Sequence, residues 1–253
     1  MTIDSLVFLG SSRFGVELTA EALATGCREQ DVSLSLASPP HPPDHDLRAA
    51  NERILSAVDR SGGALLGLFR VDPWDAVESI ETVERAAALP GIRGLLLHPA
   101  EEHFRINDPR VRPVADRAAA LGLPVVVATG TPWQSEATQV AEFARWCGDA
   151  PVVMTNGGQY NISGLSQTDA EAALTLENVH LHTNGVYRED FLQRVVGEFG
   201  QDRLLFASGA PSFDVRYEKR RVELLHVDDG ARDAVLAGNA RRLFAIPDAE
   251  VPA

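Results

Sequence analysis

Residues 92–128, IRGLLLHPAEEHFRINDPRVRPVADRAAALGLPVVVA, decide the fold. The stretch opens on a short apolar run, Ile92 to Leu97, and closes on another, Val125 to Ala128. Between them Pro109 to Leu121 repeats its apolar residues with helical period, and Gly122 supplies the stop. Two strands too apolar to face water, joined by a crossover helix, make a parallel βαβ unit.

The same alternation continues in both directions. Runs at 3–8, 32–37, 64–70, 92–97, 124–128, 151–156, 179–183 and 203–208 read as strands. Helical periodicity covers Glu17 to Ala24, Leu47 to Arg60, Asp75 to Ala88, Pro109 to Leu121, Glu136 to Cys147, Asp169 to Leu176 and Arg188 to Phe199. Eight units of about thirty residues predict an α/β fold, a closed (β/α)₈ TIM barrel filling 1–253 as one domain. An open doubly wound sheet is the alternative, because it needs only two weak strands to fail. In barrels of this kind ligands meet the C-terminal ends of the strands.

Composition narrows the function classes. A formal net charge of -13 argues against nucleic acid or an anionic membrane as partner. No apolar run approaches the length that spans a bilayer. Met1-Thr2-Ile3-Asp4 lacks the basic and apolar regions of a signal peptide, so a cytoplasmic location is expected. Cys27 and Cys147 are too few for a disulfide framework and read as buried small hydrophobes. Lys219 is the sole lysine, which leaves none for a Schiff base or a carbamylated bridge inside the barrel.

Six segments, in order and at barrel spacing, carry a family resemblance. They are Ile3-Asp4-Ser5-Leu6-Val7-Phe8-Leu9-Gly10, Gly91 to Pro99 ending in His98-Pro99, Leu121 to Gly130 ending in Ala128-Thr129-Gly130, Thr155-Asn156-Gly157-Gly158, Leu205-Phe206-Ala207-Ser208-Gly209-Ala210-Pro211, and Leu236 to Phe244. Together they resemble the amidohydrolase-related family, the metal-dependent hydrolases and decarboxylases similar to aminocarboxymuconate-semialdehyde decarboxylase. The resemblance implies a barrel whose strand ends hold a metal ion. It also implies that the ligands should stand at positions 6, 8, 128, 156 and 209. Here those positions hold Leu6, Phe8, Ala128, Asn156 and Gly209. Zinc or manganese needs imidazole nitrogen or carboxylate oxygen at about 2.0–2.2 Å, and this set supplies at most one neutral amide oxygen. The expectation is therefore no metal and no cofactor.

What polar chemistry remains is expected at the same mouth. His98 and His182 are the acid–base candidates, titrating near neutrality when unperturbed. Thr129, Asn156, Asn184, Ser208, Trp133 and Tyr160 are candidates for contacting a small molecule, with Thr131 beside them. His180, His182 and Asn184 share one strand face. The alternative for the histidines is structural: His180 packed deep and His182 bonded to a neighbouring strand end. Two loops are rich in donors, one with His41, Asp44, His45 and Asp46, the other with Glu101, Glu102 and His103. Pro42 and Pro43 bar a helix across the first, and both loops are expected to be solvated surface. The Gly157-Gly158 turn could bind an anion through backbone N–H groups, but reads first as a tight turn.

Two functional readings follow. One is a non-catalytic partner or binding subunit, paired with a metal-competent relative as a hetero-oligomer, or a homodimer. The other is a metal-independent hydrolase or decarboxylase acting on a small carboxylate, lactone or amide. The arginine-for-lysine bias and abundant alanine fit a GC-rich bacterial coding sequence, and with it a place in a biosynthetic pathway.

Overall fold

The computed structural model describes residues 1–158, 164–186 and 188–247. Eight strands follow one another in the order they occur in the chain: β1 Ile3–Phe8, β2 Leu34–Ser38, β3 Leu65–Arg70, β4 Ile92–Leu97, β5 Val125–Val127, β6 Val152–Met154, β7 Val179–His182 and β8 Leu204–Leu205. Each pairs in parallel with the next. The ring closes where Ser5 N–H donates to Phe206 O at 3.0 Å and Gly209 N–H to Leu6 O at 2.9 Å. This is the TIM barrel the alternation predicts, and the open-sheet alternative falls with that closure.

Helices fill the crossovers: α1 Ala20–Glu29, α2 Leu47–Arg60, α3 Ala76–Ala88, α4 Arg112–Leu121, α5 Ala137–Trp146, α6 Gly164–Leu174, α7 Glu189–Arg194 and α8 Val215–Glu223, with α9 Asp229–Asp233 and α10 Asn239–Leu243 at the end. Local chemistry sets their ends. The Asp75 carboxylate accepts from Val77 and Glu78 N–H at the start of α3, and Gly122 closes α4 at φ 64°. The first helix departs from expectation. Glu17–Leu18 pairs with Gly10–Ser11 as a short ribbon, and α1 starts only after Thr19, whose side chain caps Ala22 N–H. No helix among the described residues is long and apolar enough to cross a membrane.

Alternation sorts the strand residues into two layers. Leu6, Leu36, Leu68, Leu96, Val126, Val153 and Leu205 form one buried cluster inside the ring, floored by Ala240, Leu243 and Phe244 at the chain's end. The alternate strand residues, among them Phe69, Leu95, Val127, Val152, Leu181 and Phe206, pack outward against the helices. Counting two residues on from the inner layer brings Phe8, Ser38, Arg70, His98 and Ala128 to the same face, at the C-terminal mouth.

Candidate functional site at the barrel mouth

Arg70, the last residue of β3, is the centre of the mouth. It is 1 % exposed, and its backbone is clamped from α2: Asn51 donates to Arg70 O and accepts from Arg70 N–H, each at 2.8 Å. The guanidinium gathers the loop after β4. Its Nε and Nη2 donate to Glu102 Oε1 at 2.9 and 2.6 Å, its Nη2 reaches Glu101 Oε2 at 2.5 Å, and its Nη1 donates to Pro39 O at 3.2 Å.

The loop after β2 joins the same cluster. His41 Nδ1 lies 2.9 Å from Glu102 Oε1, and its Nε2 lies 2.9 Å from His45 Nδ1. Protonation at Nδ1 makes His41 a donor to the carboxylate and leaves Nε2 to accept from His45. Glu101 Oε2 also accepts from His41 N–H at 3.3 Å, and the Trp74 indole donates to Glu102 O at 2.7 Å. The expectation that both loops are solvated surface is thus corrected. His41 and Glu102 are buried because Arg70 reaches out of the barrel and draws two carboxylates over itself. Asp44 and Asp46 stay outside as turn and cap residues, Asp46 accepting from Ala49 N–H at 2.8 Å.

Burial sets the proton affinities. Desolvation lifts Glu102 to about 7 against the pull of Arg70. It lowers His41, helped by Arg70. Glu101 is raised by desolvation, but His98, the Arg70 guanidinium and the hydrogen bonds outweigh it and hold it below the ordinary value. Burial, then Arg70, brings His98 down to about 4. Its Nδ1 accepts from Glu101 N–H at 3.3 Å, which turns Nε2 toward Glu101 Oε1 at 3.8 Å. His98 and Glu101 line a cleft of about 240 Å³ with Phe8, Pro40 and Pro211.

On the far side of the mouth the strand ends bond to one another. Asn184 Nδ2 donates to Asn156 Oδ1 at 3.1 Å, and Asn156 Nδ2 donates to Thr129 O at 3.1 Å. Thr129 N–H donates to Thr155 Oγ1 at 3.0 Å, and its hydroxyl donates to Thr155 O. Ser208 is fully buried; its N–H donates to Asp4 Oδ1 at 2.8 Å, and its Oγ accepts from Ala210 N–H at 3.0 Å. Asp4 is itself lifted to about 6, desolvation outweighing those bonds. Thr129, Asn156 and Asn184 come together at the mouth, with the two asparagine amides turned into ties between strand ends. Asn156, Gly157 and Gly158 run at φ 50°, 60° and 71°, the tight turn read from sequence. At Gly157 a Cβ would lie 2.5 Å from Val186 Cγ2, so only glycine fits.

His180 and His182 share the inner face of β7. His180 Nδ1 pairs with Asp202 O at 3.2 Å, while His182 is 0 % exposed and neither of its ring nitrogens has a partner among the described residues. Burial drops His182 to about 3, so its ring stands neutral inside the barrel. Trp133 projects outward near Thr131. Tyr160 lies outside the described residues.

The ion that the resemblance implies can be tested against these positions. Leu6 is fully buried in the apolar inner layer, and the Phe8 ring stands edge-on to His98 with centroids 6.3 Å apart. Ala128 offers no donor, and the Asn156 amide is tied at both ends. At Gly209, φ 65°, a Cβ would sit 2.8 Å from Asn184 Nδ2 and 3.2 Å from the Phe213 ring. These positions do not fit a metal. Another group, His41, Glu101 and Glu102, brings ligand atoms within 4.8 Å of one another, but Arg70 already grips both of its carboxylates. Sequence reading missed Arg70. Its signal was a single arginine closing the otherwise apolar run Leu65 to Phe69, an arrangement that requires a buried counter-charge.

The chain matches the amidohydrolase family over residues 40–246, and it belongs to that family. No curated protein sequence matches it. Among solved structures it is similar to 5-carboxyvanillate decarboxylase from Sphingomonas paucimobilis, at 14% identity and TM-score 0.76 over 97% of this chain and 99% of that one. A dihydroxybenzoic acid decarboxylase from Polaromonas with bound manganese gives 16% identity and TM-score 0.70, with 97% of each chain covered. An amidohydrolase from Burkholderia multivorans gives 17% and 0.74 over 98% and 100%. Likeness at this level of identity bears on the fold.

Proposed function

We propose that this chain is an amidohydrolase-family barrel without the family's metal centre, working as a non-catalytic partner or binding subunit. One observation carries the reading. The strand ends where an ion and substrate would meet are spent on holding the barrel together, through Leu6 and Phe8 packing and the Asn184–Asn156–Thr129 ties. The test is elemental analysis and turnover of the chain purified alone, against small carboxylates, lactones and amides. Metal well below one ion per chain and no enzyme-like rate are expected. Stoichiometric zinc, manganese or iron at the mouth, or turnover by the isolated chain, would overturn it.

A second reading rests on a separate observation: His98 and Glu101 face the cleft of about 240 Å³ at the mouth. A metal-independent hydrolase or decarboxylase would use His98 for proton transfer there, next to Glu101. Under it, His98→Ala abolishes turnover while folding survives; under the first reading there is no turnover to lose.

A further inference from the structure

A second cleft opens on the flank of the mouth, over the loops that follow β3, β4 and β5. It measures about 570 Å³, and its lining includes Trp74, His103, Arg105, Arg110, Thr131 and Trp133. That volume falls within the range of small-molecule sites. None of the ion-holding positions and neither His98 nor Glu101 contributes to its lining.

Two of the chain's three tryptophans stand in this cleft, 51 % and 75 % exposed. Indoles left that open add little to folding. The Trp74 ring and the Trp133 backbone are nevertheless fixed in place. Trp74 donates to Glu102 O at 2.7 Å and carries the Arg110 guanidinium 4.0 Å above its ring. Trp133 is held in the left-handed region at φ 63°, which costs a side chain of its size about 1 kcal/mol or more. Gln139, which also bonds the N-cap residue of α5, keeps it there by donating to Trp133 O at 2.9 Å. Across the cleft His103 adopts the same strained region at φ 56°. The fold thus spends hydrogen bonds and backbone strain to present an indole to solvent.

The charge of the lining is opposite in sign to that of the protein. Arg105 and Arg110 face only Asp108, on a chain of net charge -13. Asp108 is engaged by Arg110 through contacts of 2.9 and 2.7 Å, and Arg105 is exposed with no ion pair among the described residues. Flat apolar surface beside an unpaired cation suits a planar ring that bears an acid. The indole offers the stacking face and Arg105 the salt link.

We propose that this flank cleft binds a small aromatic carboxylate, stacked on Trp133 and paired with Arg105. The inference stands on the cleft alone and holds whether or not the barrel is catalytic. The test is calorimetric titration of the full chain with 2-naphthoate, beside 2-naphthalenemethanol and cyclohexanecarboxylate. Saturable binding of 2-naphthoate at one per chain is expected, with the neutral ring and the aliphatic acid both weaker. Trp133→Ala should weaken it by about tenfold. Arg105→Gln should erase the preference for the acid over the alcohol. Both side chains are exposed, so unchanged circular dichroism and melting will show that the variants fold. Binding that never saturates, that ignores both substitutions, or that is lost instead in His98→Ala, would overturn the proposal. The last result would place the ligand in the axial cleft. Because none of these readouts involves metal content or turnover, failure here leaves the proposed function untouched.

Discussion

His41 and Glu102 meet at 2.9 Å although 61 positions separate them, and their contact ties the loop after β2 to the loop after β4. The pair is not balanced in charge. Glu101 and Glu102 share one guanidinium, so the cluster is one positive charge short when both are ionised. Desolvation, with the charge of Glu101 added to it, holds the Glu102 proton up to about 7.

That shift fixes the sign of a pH effect. The folded state binds the Glu102 proton more tightly than the unfolded chain, whose value is 4.5. Its contribution to stability is whole below 4.5 and is lost as pH rises through 7, at up to about 1.4 kcal/mol per pH unit. Glu102→Gln removes the titration. The stability of the Gln variant relative to wild type, from urea unfolding, should improve from pH 4.5 to pH 7 and level off above. A difference that stays flat over that interval would mean that Glu102 is ionised throughout.

Arg70 is the only cation in contact with both carboxylates among the described residues, so removing it tests what the cluster can hold. Arg70→Met should destabilise the fold by about 3–5 kcal/mol, the cost of leaving buried charge unpaired. The freed set of His41, Glu101 and Glu102 then has the donors of a divalent site. Zinc should raise the melting temperature of the Met variant and leave wild type unmoved. Equal stabilisation of both would show that Arg70 does not compete with an ion.

The barrel was legible because its signal is collective: eight apolar runs separated by helical periods leave little choice of architecture. The strand ends were legible as a set too, since Thr129, Asn156 and Asn184 do converge. What could not be read was contact between loops distant in sequence. His41 and Glu102 look like solvated donors because nothing local marks them as buried; only Arg70, placed inward by strand alternation, brings them in. The short ribbon at Gly10–Ser11 and Glu17–Leu18 was hidden for a related reason: its residues mimic the first turn of a helix that Thr19 caps two positions later.

Gly209 shows why restoring one acid would not restore the family's chemistry. Its φ is 65°, and an added Cβ meets Asn184 Nδ2 at 2.8 Å. Gly209→Asp must therefore strain the backbone and break the Asn184–Asn156 tie. Gly209→Ala should cost about 1–3 kcal/mol, and Gly209→Asp more, because the carboxylate is buried as well. Neither variant should take up stoichiometric zinc. Combining Asn184→Ala with Gly209→Ala should recover the steric part of the loss and leave the backbone part. Full recovery in the double variant would mean that the left-handed backbone carries no cost.

His182 makes the last test, because its burial with no hydrogen-bond partner among the described residues is a cost that packing alone does not explain. Each unpartnered polar atom taken from water is unfavourable. The unfolded ring takes up a proton near 6.5, whereas the folded ring refuses one until about 3. Wild type therefore loses stability as pH falls from 6.5 toward 3, by up to about 1.4 kcal/mol per unit. His182→Leu removes both penalties. The variant should be more stable than wild type by about 1 kcal/mol or more at pH 8, and the gap should widen at pH 5. A variant that is less stable at both pH values would show that the ring has a partner or fills space leucine cannot. Should the prediction hold, His182 persists at the expense of stability, and a ligand in the barrel mouth that accepts from or donates to that ring becomes the next thing to look for.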